Sequence, residues 1–148
     1  MKVLVAYDAN EHSVFALDKA AEVAAAEGAE VTVLSVVTPD ARGSKSGGHV
    51  GLPPHADADV TYAREHLGDR GIHAATKVAH GHPAAEILEE ARVGSYDLIV
   101  MGSRELGPIV GRLLGSVSRK VVHDAPCAVI VAGKSGATRI EPTAAAVA

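Results

Sequence analysis

The chain has 148 residues, a formal charge of -4 and a pI near 6.0, with 47% hydrophobic, 22% charged and only 3% aromatic residues. That length suits a single domain with a sizeable core, and the apolar content excludes a disordered chain. One Phe, three Tyr and an acidic balance exclude a nucleic-acid binder built on base stacking or on a basic groove.

The first element is the continuous apolar run Val3-Leu4-Val5-Ala6-Tyr7, as expected of a strand buried on both faces. It turns polar at Asp8-Ala9-Asn10, too soon for a secretory signal. A helix follows, with Val14, Leu17, Ala21 and Ala24 on one face, Asn10 as its N-cap and Gly28 just past its C-terminus. The β-branched run from Val31 to Val37 is a second strand, and the βαβ opening implies parallel strands with a right-handed crossover. Residues 38–56, rich in Pro and Gly, read as a long flexible loop. Helical spacing returns at Val60, Ala63 and Leu67 and stops between Gly68 and Gly71. Ile72 to Ala79 is a more polar strand that suits a sheet edge. Pro83 opens a short amphipathic helix through Ile87, Leu88 and Ala91. Asp97 to Met101 is the fourth strand, followed by a Gly-rich turn and a helix to about Val122. Ala128 to Ala132 is the fifth strand, and residues 133–148 read as a fraying tail. Five parallel strands alternating with four helices predict one three-layer α/β domain over residues 1–148, Rossmann-like in plan.

In such sheets ligands bind beyond the carboxyl ends of the strands, where the strand order reverses. Two strand ends here differ from ordinary connections. One is Ala6-Tyr7-Asp8. The other runs from Met101 through Gly102, Arg104, Glu105, Gly107 and Gly115 to Ser116-Val117-Ser118. Glycines let a backbone approach an anion closely, and Ser116 and Ser118 stand near a helix start that favours phosphate. The same small residues also serve if the segment only lets a helix pack against the sheet, and spacing alone leaves both readings open.

Several segments together resemble the universal stress protein family. They are Val5-Ala6-Tyr7-Asp8, Gly81-His82-Pro83-Ala84-Ala85-Glu86-Ile87 and Asp97 to Ser103. Leu114-Gly115-Ser116-Val117-Ser118 and Ala125-Pro126-Cys127-Ala128 to Val131 complete the set, which spans nearly the whole chain. The resemblance implies a sheet ordered 3-2-1-4-5, akin to the adenine nucleotide alpha hydrolase-like folds. It also implies a homodimer through strand five (residues 128–132) and, in many members, bound ATP. The family's nucleotide pattern falls on Gly102 and on Gly115-Ser116, but its middle glycine falls on Glu105. A carboxylate there would repel polyphosphate. Gly107 could replace the missing glycine in a shifted loop, or Glu105 could point outward while Arg104 offsets its charge. By the same resemblance Asp8 would contact the nucleotide or its Mg ion, Ala6 and Tyr7 would supply backbone or wall contacts, and Val36 and Met101 would clamp the adenine. Asp8 as a capping residue and Val36 and Met101 as plain core are the competing readings.

Other motifs are set aside. Gly133-Lys134-Ser135 lacks the upstream glycine of a P-loop, and His80-Gly81-His82 has no second spaced pair to complete a zinc site. Cys127 reads as a small buried hydrophobe, and its lack of an internal partner fits a reducing, cytoplasmic compartment. No apolar stretch approaches the roughly 18 residues of a membrane span. The expectation is therefore a nucleotide-responsive, ATP-binding regulator in the stress response, read by an unknown protein partner. No general base marks it as an enzyme beyond slow ATP hydrolysis. The alternative is a dimeric adaptor in which Glu105 has disabled the phosphate site.

Overall fold

The computed structural model describes residues 1–38, 56–103 and 115–142. In chain order these form β1 (Lys2–Ala6), α1 (Ser13–Glu27), β2 (Glu30–Val37), α2 (Ala56–Gly68), β3 (Ala74–His80), α3 (Pro83–Val93), β4 (Leu98–Gly102), α4 (Ser116–Asp124), β5 (Ala128–Gly133) and β6 (Gly136–Ile140). Most of the expected loop between residues 38 and 56, and the tail beyond residue 142, lie outside the described residues.

β1 is the centre of the sheet because it can be buried on both faces. Val3 and Val5 point into one apolar cluster and Leu4 into the other, all three fully buried. The first cluster gathers Leu17 and the alanines of α1 with Val60, Ala63 and Leu67 of α2. The second gathers Ile87 and Ala91 of α3 with Val121 of α4. Helices therefore cover both faces, in pairs. The buried face of α1 consists largely of alanine (Ala16, Ala20, Ala21 and Ala24), which brings the helix axis close to the sheet.

The sheet order is β3-β2-β1-β4-β5-β6, with β1 to β5 parallel and β6 antiparallel to β5. The 3-2-1-4-5 order is as expected, but the sheet has six strands and is mixed. The segment read as a fraying tail turns back through Lys134 and Ser135, and Gly133 pairs with Gly136 to open β6. Strand five is thus hydrogen-bonded on both sides, to β4 and to β6, and is not the free sheet edge that an edge-to-edge dimer through residues 128–132 requires. β3 is the opposite edge, as its polar composition suggests, and its alternating half-exposed pattern fits.

Two helix boundaries follow the sequence. Gly28 takes the left-handed conformation (φ 65°) and donates its N–H to the Ala24 carbonyl at 2.8 Å. Pro83 is in the first turn of α3. The start of α1 does not follow it. Asn10 is not the N-cap; the helix begins three residues later, with His12 in that position. Asn10 instead accepts the Ser13 N–H through its carbonyl at 2.9 Å, closing a turn that directly follows Ala9, whose φ is 62°.

Leu98 is fully buried beside β1 in the α1 and α2 cluster, so L98A is expected to cost about 3 kcal/mol, readable as a lower urea midpoint. Burial pushes the Cys127 thiol from its ordinary 9.0 up to about 11. The folded protein should therefore react slowly with a thiol reagent at about pH 8 and rapidly once unfolded. Because the folded state holds the proton more tightly, this residue's contribution to stability is complete below pH 9.0 and is lost as pH rises towards about 11.

Candidate functional site

The order of strands reverses between β1 and β4, and there the carboxyl ends of the sheet open into a cleft of about 290 Å³. Three strand ends form its floor: Ala6 and Tyr7 after β1, Leu34 and Val36 on β2, and Met101 and Gly102 on β4. The start of α1 supplies His12 and Ser13, α3 supplies Pro83 and Ile87, and Gly115 to Ser118 close the remaining side at the start of α4.

Ten of the sequence-predicted residues meet in this one cleft: Ala6, Tyr7, Asp8, Val36, Met101, Gly102, Gly115, Ser116, Val117 and Ser118. Arg104, Gly107 and the discordant Glu105 lie outside the described residues. Sequence reasoning missed His12, Ser13, Leu34, Pro83 and Ile87 as cleft residues. The apolar ones resemble ordinary core, and only the fold brings α3 and β2 to the same mouth. His12 had a usable signal, an ionisable side chain at a helix start just beyond the central strand.

Several predicted residues have roles that only the geometry distinguishes. Tyr7 lines the cleft, but its ring belongs to the α1 and α2 core cluster, where it stacks on Tyr62 of α2 at 6.5 Å between centroids. Burial first, then the nearby Tyr62, Asp59 and Asp8, raise the Tyr7 phenol above its ordinary 10.0, so at neutral pH it is a hydrogen-bond donor. Its backbone N–H is taken by the Leu34 carbonyl at 2.9 Å.

The Asp8 carboxylate ties its loop together. Its Oδ1 accepts the Asn10 N–H at 2.9 Å and the Ser13 hydroxyl, whose oxygen in turn accepts the Asp8 N–H at 3.3 Å. Asp8 braces the β1–α1 loop in this way without capping α1, whose N-cap is His12. Among the described residues, no group of three His, Cys, Asp or Glu side chains is placed to hold a metal ion.

The two cleft glycines also separate. A Cβ on Gly102 would stand 2.6 Å from the His12 carbonyl oxygen and 2.8 Å from its carbon, so this glycine lets the β1–α1 loop lie against the end of β4. Among the described residues nothing lies within 4 Å of a Cβ on Gly115, which is the N-cap of α4. The first turn of α4 has no acidic side chain and its N-cap, Gly115, has no side chain to cap it, so the helix dipole there favours an anion.

Comparison with known proteins decides the lineage of this arrangement. The profile of the Universal stress protein family matches residues 1–133. The chain belongs to the universal stress protein family. Universal stress protein YxiE of Bacillus subtilis is 34% identical over 147 residues, covering 88% of this chain and 97% of that protein. A Thermus aquaticus universal stress protein is 33% identical, covering 87% of this chain and 96% of that one. Among solved structures, a universal stress protein in complex with cAMP superimposes with a TM-score of 0.71 at 26% identity, covering 90% of this chain and 96% of that one. An Archaeoglobus fulgidus universal stress protein in complex with dAMP shares the fold at TM-score 0.68 and 22% identity, covering 89% of this chain and 97% of that one.

The glycine geometry predicts opposite outcomes for two similar substitutions. G102A must move the His12 backbone and should cost about 1–3 kcal/mol in denaturant unfolding. G115A meets open space and should change stability by less than about 0.5 kcal/mol. Equal costs would show that the two glycines do the same work.

Proposed function

We propose that this family member is a nucleotide-responsive regulator of the stress response that binds an adenine nucleotide in the cleft. The observation that carries the reading is the convergence, in one opening, of an apolar floor and a helix start with glycine as its N-cap and no acidic first turn. Val36, Met101, Leu34 and Ile87 offer aliphatic surface to a base, and the N–H groups of the first turn of α4 with the Ser116 and Ser118 hydroxyls suit a phosphate. The relative solved with cAMP, at 26% identity, supports an adenine nucleotide as the ligand class.

The residues fit ATP as the family resemblance implies it. The open space over Gly115 leaves room for a close phosphate, and the exposure of Gly115 and Ser116 leaves the helix start reachable. When bound, ATP would bring its own Mg ion, whose charge neutralises phosphate. In this reading Asp8 meets that ion through the oxygen not engaged by Ser13 and Asn10. The protein's part is binding, not turnover. Nucleotide occupancy would favour one state of the protein, and a protein partner in the cytoplasm would read that state. A homodimer, in this reading, forms at the β5–β6 edge of the sheet.

Thermal unfolding with ATP, ADP, AMP and cAMP, each with and without magnesium, tests the proposal. A ligand at about 100 times its Kd adds about 2.7 kcal/mol. For about 150 residues that raises Tm by roughly 5–10 °C. No shift with any of the four would overturn the reading in favour of a dimeric adaptor without a nucleotide. In the same assay E105G should raise affinity for ATP more than for cAMP, because it removes a negative charge at the position of the family pattern's middle glycine, and ATP carries more phosphate charge. Equal affinities before and after would show that the loop already accommodates Glu105.

A further inference from the structure

We propose that the His12 imidazole recognises the ligand's phosphate charge, so that the cleft selects anionic nucleotides over uncharged nucleosides and binds them more tightly as pH falls. The inference rests on the nucleotide reading above and adds the ligand class and its control by protons.

Among the described residues lining the cleft, His12 is the only side chain that can carry a positive charge. Asp8 is the only carboxylate there. With His12 neutral, the described lining offers an entering phosphate one fixed negative charge and a helix dipole. With His12 protonated, that charge is offset and an N–H donor is added.

The backbone holds His12 in place. Its carbonyl lies against Gly102 at the end of β4, so close that a Cβ at Gly102 would come within 2.6 Å of the oxygen. It stands in the helical conformation (φ -71°, ψ -26°) directly before Ser13, whose N–H is tied to Asn10 and whose hydroxyl is tied to Asp8. The imidazole is thus carried on a braced loop. Its side chain is 29% exposed, so protons and ligand both reach it.

The titratable groups around it are few. Asp8 and Tyr7 share the cleft, and Glu11 beside it places Oε1 3.8 Å from His12 Nε2. Glu11 is 86% exposed, and an ion pair in that setting is weak and readily exchanged for a phosphate. The cleft residues of β2, β4, α3 and α4 add no charged side chain among the described residues. The proton that completes the site comes from solvent as the anion binds.

Calorimetry on the full chain tests this with cAMP and adenosine. The phosphodiester of cAMP keeps one negative charge over the range used, and adenosine has none. Between about pH 8.5 and about pH 5.5 the wild type should bind cAMP roughly five- to tenfold more tightly, with no such trend for adenosine. H12Q should lose the trend, and H12K should bind cAMP tightly at both extremes. A readout without any substitution is proton uptake: at about pH 7, heats in two buffers of different ionisation enthalpy should reveal uptake with cAMP and none with adenosine. If both ligands bind but cAMP shows no pH trend or uptake, or H12Q keeps the trend, the role of His12 is overturned and the nucleotide reading stands. If neither ligand binds a folded wild type at either pH, the role of His12 is overturned, and the nucleotide reading is decided separately by the unfolding assay with ATP, ADP, AMP and cAMP.

Discussion

β1 pairs with β2 on one side and β4 on the other, and the chain reaches β4 only after running out to the β3 edge and back across the opposite face. Right-handed crossovers make this path place α1 and α2 on one face and α3 and α4 on the other. The crossovers leave β1 and β4 in opposite directions, so no connection bridges the gap at their carboxyl ends. The cleft is a consequence of that divergence. Its floor is apolar because the central strands must be buried on both faces, and its rim is more polar because the starts of α1 and α4 bring Asp8, His12, Ser13 and Ser116 to it.

The same constraint explains what was legible in the sequence. β1, β2, β4 and β5 read clearly because a strand covered on both faces needs an unbroken apolar run, and Val3 to Tyr7 or Ala128 to Ala132 has little else to be. Gly28 and Pro83 read clearly because each has a conformational reason independent of the rest of the fold. β6 did not. Gly136-Ala137-Thr138-Arg139-Ile140 pairs on one side only and is largely exposed, so no hydrophobic pattern distinguishes it from a tail. Its formation depends on β5 offering an edge, which is a tertiary fact. Asn10 misled for a similar reason: the Asp8 and Ser13 pair and the turn at Ala9 delay the helix, and both depend on residues up to five positions apart.

At the cleft, the segments that match the family pattern led directly to Gly102, Gly115, Ser116 and Ser118, but not to what each does. Two glycines that look alike in sequence answer to different neighbours, one to the His12 carbonyl and one to open space. Asp8 shows the converse, since one carboxylate serves both as the tie of the β1–α1 loop and as a wall of the cleft. Residues from β2 and α3 could not be assigned from the sequence because they reach the site only through the sheet order.

The scarcity of aromatics, which at first only argued against nucleic acid, bears on how the cleft discriminates. Tyr7 is the one aromatic ring among the described lining residues apart from the His12 imidazole, and it is turned into the core against Tyr62. In the proposed reading a base would meet aliphatic side chains, which bury area without the directional preference of a stacking ring. Such a surface distinguishes one purine from another poorly. Discrimination then has to come from the other end of the ligand, where charge is concentrated and where the helix start of α4, Asp8 and His12 converge. A cleft with a permissive floor and a charge-sensitive rim is suited to sensing the phosphate state of a nucleotide more than the identity of its base.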